Sequence, residues 1–132
     1  MVSNRAGIAG YGKATGVSLA ICHMDDLADP GARGFDAFGR GHDRLFIIRR
    51  GDALHAYIDR CPHYGATPLP WRKDAYLNAA GTRIVCASHG AEFDIATGVC
   101  TLGPCLGQAL QAVPLRVDER SAVYAVEGVI TE

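Results

Sequence analysis

No stretch of this chain approaches the ~20 consecutive apolar residues that a helical membrane span needs. It also has no basic surplus. Thirteen Lys and Arg against fourteen Asp and Glu leave a formal charge of −1, so nothing is available to neutralise a phosphate backbone, and nucleic acid is excluded as the expected partner. Residues 1–16 lack the basic-flanked apolar run and small-residue cleavage site of an export signal. A cytoplasmic protein with no membrane association is therefore expected. Internal repeats and low-complexity tracts are missing, and 132 residues give room for one core rather than two. Wholesale disorder is excluded as well, because 48% hydrophobic against 20% charged residues is an ordinary globular balance.

Turn formers are abundant instead. Gly and Pro supply 22 residues, about 17% of the chain, against a usual ~12%, which favours short strands over long helices. Residues 1–16, with four glycines and little apolar content, read as a flexible arm preceding a single domain over residues 17–132. Val17, Leu19 and Ile21 alternate with smaller residues in a first strand. Asp25–Asp43 is polar and Gly-rich and reads as a loop with room for one helical turn. The Leu45–Ile48 run, the Gly51-Asp52 turn and the Leu54, Ala56, Ile58 alternation predict a hairpin. Cys61–Gly81 shows no period and is expected to be a long loop. Arg83–Cys86 and Glu92–Ile95 read as strands, the second of them ending at an Ala96-Thr97-Gly98 turn, and Leu102–Gly107 is loop chemistry. Pro114, between Val113 and Leu115, suggests an edge strand or a bulge, and Ala122–Val126 is the last strand. The fold class is all-β.

Cysteines at 22, 61, 86, 100 and 105 make an odd count in a chain without an export signal, which argues against a disulfide framework. Two cysteines have a histidine close behind: Cys61-Pro62-His63 and Cys86-Ala87-Ser88-His89, with 22 residues between the pairs. Each pair ends a predicted strand and precedes a glycine, Gly65 or Gly90, that lets the backbone curl back. Two such tips can bring Cys61, His63, Cys86 and His89 together as metal ligands. Two thiolates and two imidazoles suit tetrahedral zinc, although zinc sites usually pair Cys with Cys and His with His. The mixed tips also suit a diiron centre in which thiolates hold one iron and imidazoles the other.

Cys-x-His followed by Cys-x-x-His-Gly resembles the Rieske [2Fe–2S] family, over about Phe46 to Val126. The resemblance implies an antiparallel β-sandwich carrying a small cluster-binding subdomain, with the ligand loops in about residues 59–107. It implies Cys61 and Cys86 on the inner iron and His63 and His89 on the outer one. Thr97–Cys105 is similar to the segment that family members place over the cluster, where a proline shields it. Two thiolates offset the ~+2 of an oxidised diiron–disulfide core, where four would leave about −2, so an added electron is less opposed than in all-cysteine ferredoxins. Respiratory members carry a Ser and a Tyr after the second ligand histidine and a further Cys in each ligand loop. Here Ala91 and Phe93 stand at those positions and the extra cysteines are missing, which places the expected potential at the low end, on the order of −150 mV.

The remaining candidates divide by position. Cys22, Cys100 and Cys105 read as small apolar fillers. Tyr64, Pro104 and Leu106 are candidates for an apolar collar around the imidazole edge, suited to transient docking. Trp71 and Tyr76 fall in an inter-loop stretch longer than in typical dioxygenase ferredoxins and are expected to pack it onto the domain. His42 reads as solvated, and His55 as lying on the open face of its strand.

The chain resembles the ferredoxin components of ring-hydroxylating oxygenase systems: an electron carrier rather than a catalyst, taking electrons from a flavin reductase and passing them to an oxygenase near His63 and His89. Only six residues follow Val126, so a catalytic mononuclear iron domain is not expected. A Rieske-like small subunit of a nitrite-reductase-type assembly is the alternative, and a structural zinc module the remaining one.

Overall fold

The computed structural model describes residues 18–62 and 68–126. The arm expected over residues 1–16 lies outside these. The described chain is built from nine strands: β1 (Ser18–His23), β2 (Gly31–Phe35), β3 (Leu45–Arg50), β4 (Ala53–Ile58), β5 (Arg83–Val85), β6 (Glu92–Asp94), β7 (Cys100–Leu102), β8 (Leu115–Val117) and β9 (Ala122–Val126). They form three antiparallel three-stranded sheets, ordered β1-β9-β8, β2-β3-β4 and β5-β6-β7. One 3₁₀ turn, Met24–Asp26, follows β1. The all-β expectation holds.

β3 explains how the layers stack. Its first four residues are fully buried, as expected for a strand covered on both faces rather than one. Leu45 and Ile47 enter one core with Ile58, Val113, Leu115, Val123 and Ala125, joining the middle sheet to the β1-β9-β8 sheet. Phe46 and Ile48 enter a second core with Tyr57, Leu69, Tyr76, Ile84 and Phe93. β4 divides in the same way, Ala56 and Ile58 to the first core and Tyr57 to the second. Each fully buried Leu, Ile or Phe stabilises the fold by roughly 1.5–3 kcal/mol. Cys61 and Cys86 belong to the second core.

The hairpin expected around Gly51 is β3–β4, in register from Leu45↔Ile58 to Arg50↔Ala53. β8, just after Pro114, is an edge strand of its sheet, and Pro114 contributes a carbonyl that accepts from the Val126 N–H. Two strands depart from expectation. Gly31–Phe35 lies inside the stretch read as loop, yet it pairs with β3 along its whole length. Cys100–Leu102 pairs with β6, so the middle of the segment read as a cover is sheet. Between Pro68 and Gly81 the described chain makes a single isolated bridge, Leu77↔Ile84, and side chains organise the rest.

Candidate metal centre

Cys61 stands three residues after the end of β4, and Cys86 directly follows β5. The donor atoms of Cys61, Cys86 and His89 all lie within 4.8 Å of one another, with both cysteines fully buried and the histidine half-buried. His63 lies outside the described residues, as does Tyr64. The turn that carries Cys86 and His89 is closed by backbone. The Gly90 N–H donates to the Cys86 carbonyl at 2.8 Å, and the Cys86 N–H donates to the Ala91 carbonyl at 2.9 Å. Gly90 turns the chain at a φ of +71°, in the left-handed region open to glycine.

A backbone strut joins the two ligand-bearing segments. The Asp59 carboxylate accepts from the Leu69 N–H at 2.9 Å, and the Leu69 carbonyl accepts from the Ala87 N–H at 2.8 Å. One residue therefore links a position two before Cys61 to the position after Cys86. Tyr76 braces the strut. Its hydroxyl donates to the other Asp59 oxygen at 2.7 Å, its carbonyl accepts from Val85, and its ring stacks on Phe46 at 4.1 Å. Burial raises the Asp59 pKa, against hydrogen bonds from Leu69 and Tyr76 that favour the carboxylate. Nothing in the sequence pointed to Leu69, because it acts through its backbone, and any side chain would look the same there.

A third segment presses on the second ligand turn. At Gly103 a Cβ would stand 2.8 Å from the Ala91 Cα, and the φ is +109°, so both space and conformation call for glycine. Ala91 and Phe93, the residues that replace hydroxyl donors, are fully buried.

The donor set fits a thiophilic metal centre. Burial, and next the neighbouring Cys61 thiol, raise the Cys86 pKa, while backbone N–H groups of Ser88 and His89 donate to its sulfur and favour the thiolate. Two thiols crowded without water resist ionising together, and metal coordination is what stabilises such a pair as thiolates. The Nδ1 atom of His89 is buried, and the imidazole lies with the two sulfurs, as suits a group placed to ligate.

Other candidates sort differently. Cys100 and Cys105 are buried and Cys22 is half-buried, in keeping with filler positions. Pro104 is exposed, and Leu102 and Leu106 are exposed at 56% and 67%. Tyr76 packs as expected, but Trp71 does not. It is 71% exposed, with the Arg72 guanidinium 4.7 Å above its ring. His42 is exposed. His55 is half-buried, not open, and burial followed by Arg50 lowers its pKa. His23 caps the 3₁₀ turn, with its side chain accepting from the Asp25 N–H.

A family model described as the Rieske [2Fe-2S] domain matches residues 17–124, longer than the span that resemblance suggested. Among solved structures, the ferredoxin of carbazole 1,9a-dioxygenase from Nocardioides aromaticivorans IC177 is similar at a TM-score of 0.65 and 25% identity, covering 83% of this chain and 97% of that one. A complex of reduced oxygenase and oxidized ferredoxin in carbazole 1,9a-dioxygenase gives 0.64 and 27%, covering 88% and 98%. Sphingomonas yanoikuyae B1 ferredoxin, at 21% identity and 0.61 over 84% and 99%, shares the fold. Apoptosis-inducing factor 3 of Homo sapiens is 33% identical over 82 residues, which is 62% of this chain. The mouse protein of that name is 32% identical over the same length. The match spans 12% of either of these curated relatives.

Proposed function

This chain belongs to the Rieske [2Fe–2S] family, and from that premise we propose that it is a one-electron carrier whose cluster is held by Cys61, Cys86, His63 and His89. The observation that carries the reading is the convergence of two cysteine sulfurs and an imidazole within 4.8 Å on two separate segments. The cluster, when bound, supplies reversible one-electron chemistry. Cys61 and Cys86 provide the buried thiolates, and the Ser88 and His89 amides stabilise negative charge on the Cys86 sulfur. The Asp59–Leu69–Ala87 strut keeps the two segments in register. His63 and His89 would supply the imidazole ligands, on the side of the cluster where electrons would be exchanged.

Exposed Leu102, Pro104 and Leu106 border the second ligand turn through Gly103 and supply an apolar rim for transient docking. The donor in this reading is a flavin reductase and the acceptor an oxygenase. The likeness to ferredoxins of carbazole dioxygenase, one of them in complex with its oxygenase, supports that acceptor. The reading takes residues 17–132 as one domain with cluster loops in 59–107, and places it in the cytoplasm. Five free cysteines suit a reducing compartment. Among the described residues no helix is long and apolar enough to cross a membrane.

A second reading, a Rieske module serving a larger partner, is favoured by the 33% identity to a protein of which the match spans 12%. Anaerobic titration with a one-electron reductant, followed by mixing with a Rieske oxygenase and with a flavin reductase, tests both. The carrier reading expects one electron taken up per chain, rapid transfer to the oxygenase, and loss of uptake in His89→Ala. A chain that takes up no electron overturns it, and transfer confined to a co-purifying larger protein favours the module.

A further inference from the structure

Outside the candidate ligands, two thiols stand in contact. The Cys105 S–H donates to the Cys100 Sγ across 3.1 Å, and the Cys100 S–H donates to the Leu102 carbonyl at 3.3 Å. Both side chains are about 2% exposed or less. The backbone fixes the pair from both sides. The Cys100 N–H donates to the Gln108 carbonyl at 2.7 Å, the Gln108 N–H to the Cys105 carbonyl at 2.8 Å, and the Gly107 N–H to the Cys100 carbonyl at 3.2 Å. Residues 101–104, which lie between the two sulfurs in sequence, are all exposed. The result is a surface loop with a pinned base and two sulfurs facing each other at that base.

Small apolar filling explains the burial but not the facing. Two fillers need only complementary volume, and alanine or valine would supply it. We propose that Cys100 and Cys105 are a dithiol–disulfide couple, and that closing the bond latches the 100–107 loop against the second ligand turn. The mechanical link is present: β7 pairs with β6 through Cys100↔Phe93 and Leu102↔Glu92, and Gly103 rests on Ala91, two residues after His89. An S–S bond at the base removes open conformations of the loop. The turn beneath then loses its freedom to swing outward.

The oxidant is a low-molecular-weight disulfide of the glutathione type. One cysteine loses its proton and attacks that disulfide. The oxidant's S–S bond breaks, and the departing sulfur leaves as a thiol carrying a proton. The second cysteine then attacks the mixed disulfide, forming the Sγ–Sγ bond and releasing the other half as a thiol. Two electrons leave the cysteine pair and reduce the oxidant, and the two cysteine protons end on the two released thiols. Burial makes the exchange wait on loop opening, so closure is slow to form and slow to reverse.

The test uses the purified holo-protein, equilibrated without oxygen in glutathione buffers from reducing to oxidising. Each sample is acid-quenched, denatured, alkylated and mapped by peptide mass, and a parallel portion is followed by hydrogen exchange. Two results are expected. A linked peptide joining Cys100 to Cys105, lighter by two hydrogens, rises with oxidised glutathione and disappears with dithiothreitol. Amide exchange in residues 100–107 slows several-fold in the linked form, and the same treatment of Cys105→Ser gives no linked peptide and no slowing, with a glutathione adduct on Cys100 as the only change in mass. Both cysteines alkylated at the most oxidising poise overturns the couple, as does a link from either one to Cys61 or Cys86. A link that leaves exchange in the loop unchanged overturns the latch. Neither readout depends on the cluster, so a failure of the electron-carrier reading is visible separately, as a colourless protein.

Discussion

Tyr76→Phe isolates the brace of the strut. The substitution keeps the ring that stacks on Phe46 at 4.1 Å and removes one hydroxyl, which donates to Asp59 at 2.7 Å in a fully buried contact. A hydrogen bond to a charged group contributes roughly 1.5–3 kcal/mol. Because Asp59 keeps its bond from the Leu69 N–H, the expected loss is near the middle, about 2 kcal/mol. For a chain of this length that corresponds to a fall in Tm of about 6–10 °C, read by thermal melting of the holo-protein under anaerobic conditions.

The pH dependence gives a second handle on the same substitution. Burial already raises the Asp59 pKa, and the tyrosine bond opposes that rise, so Tyr76→Phe raises it further. An acid raised in the native state binds protons there that the unfolded chain, with a value near ~3.9, has released. Its effect on stability is therefore most favourable at low pH and declines as pH climbs through the folded value. In the variant that decline continues to higher pH, so the gap in Tm between the two proteins widens with pH and then levels. A gap below about 2 °C, or one that narrows as pH rises, would refute the reasoning.

Gly103→Ala should destabilise by about 2–4 kcal/mol, from a left-handed φ combined with a Cβ driven into the Ala91 backbone. Melting temperature and iron retained after purification both check it. Asp94 accepts from the Thr97 N–H and hydroxyl, which hold its pKa below the usual carboxylate value. That stability is complete above the unfolded value near ~3.9 and is lost as pH falls through the lower folded value. Asp94→Asn should therefore lose less stability than the parent between about pH 5 and 2, measured by denaturant unfolding. Voltammetry should give a midpoint on the order of −150 mV, because buried Ala91 and Phe93 offer no hydroxyl where high-potential relatives have one. A value near the top of the Rieske range would contradict this.

Elements carried by side-chain pattern were legible before any coordinates. The β3–β4 hairpin announced itself through an apolar run, a Gly-Asp turn and an alternating strand, and the grouping of Cys61, Cys86 and His89 through sulfur and imidazole at short spacing. β2 was hidden because Gly34 answers to atoms distant in sequence: a Cβ there would collide with the Tyr76 hydroxyl and the Asp43 carboxylate. β7 was hidden because three residues, Cys100–Leu102, show no period. Trp71 misled because an aromatic in a long inter-loop stretch was expected to pack that stretch onto the domain, whereas here a guanidinium covers one face and solvent the rest. The strut was unreadable in principle, since backbone groups of Leu69 and Ala87 form one of its two links.

The mixed sulfur–nitrogen ligand set is tested most directly by pulsed electron paramagnetic resonance of the reduced holo-protein grown with ¹⁵N-histidine. Strong coupling of the reduced centre to the nitrogens of two histidines, altered by the isotope, is the predicted result. A reduced iron–sulfur signal without nitrogen coupling, or a purified protein that contains zinc and no iron, would contradict the account.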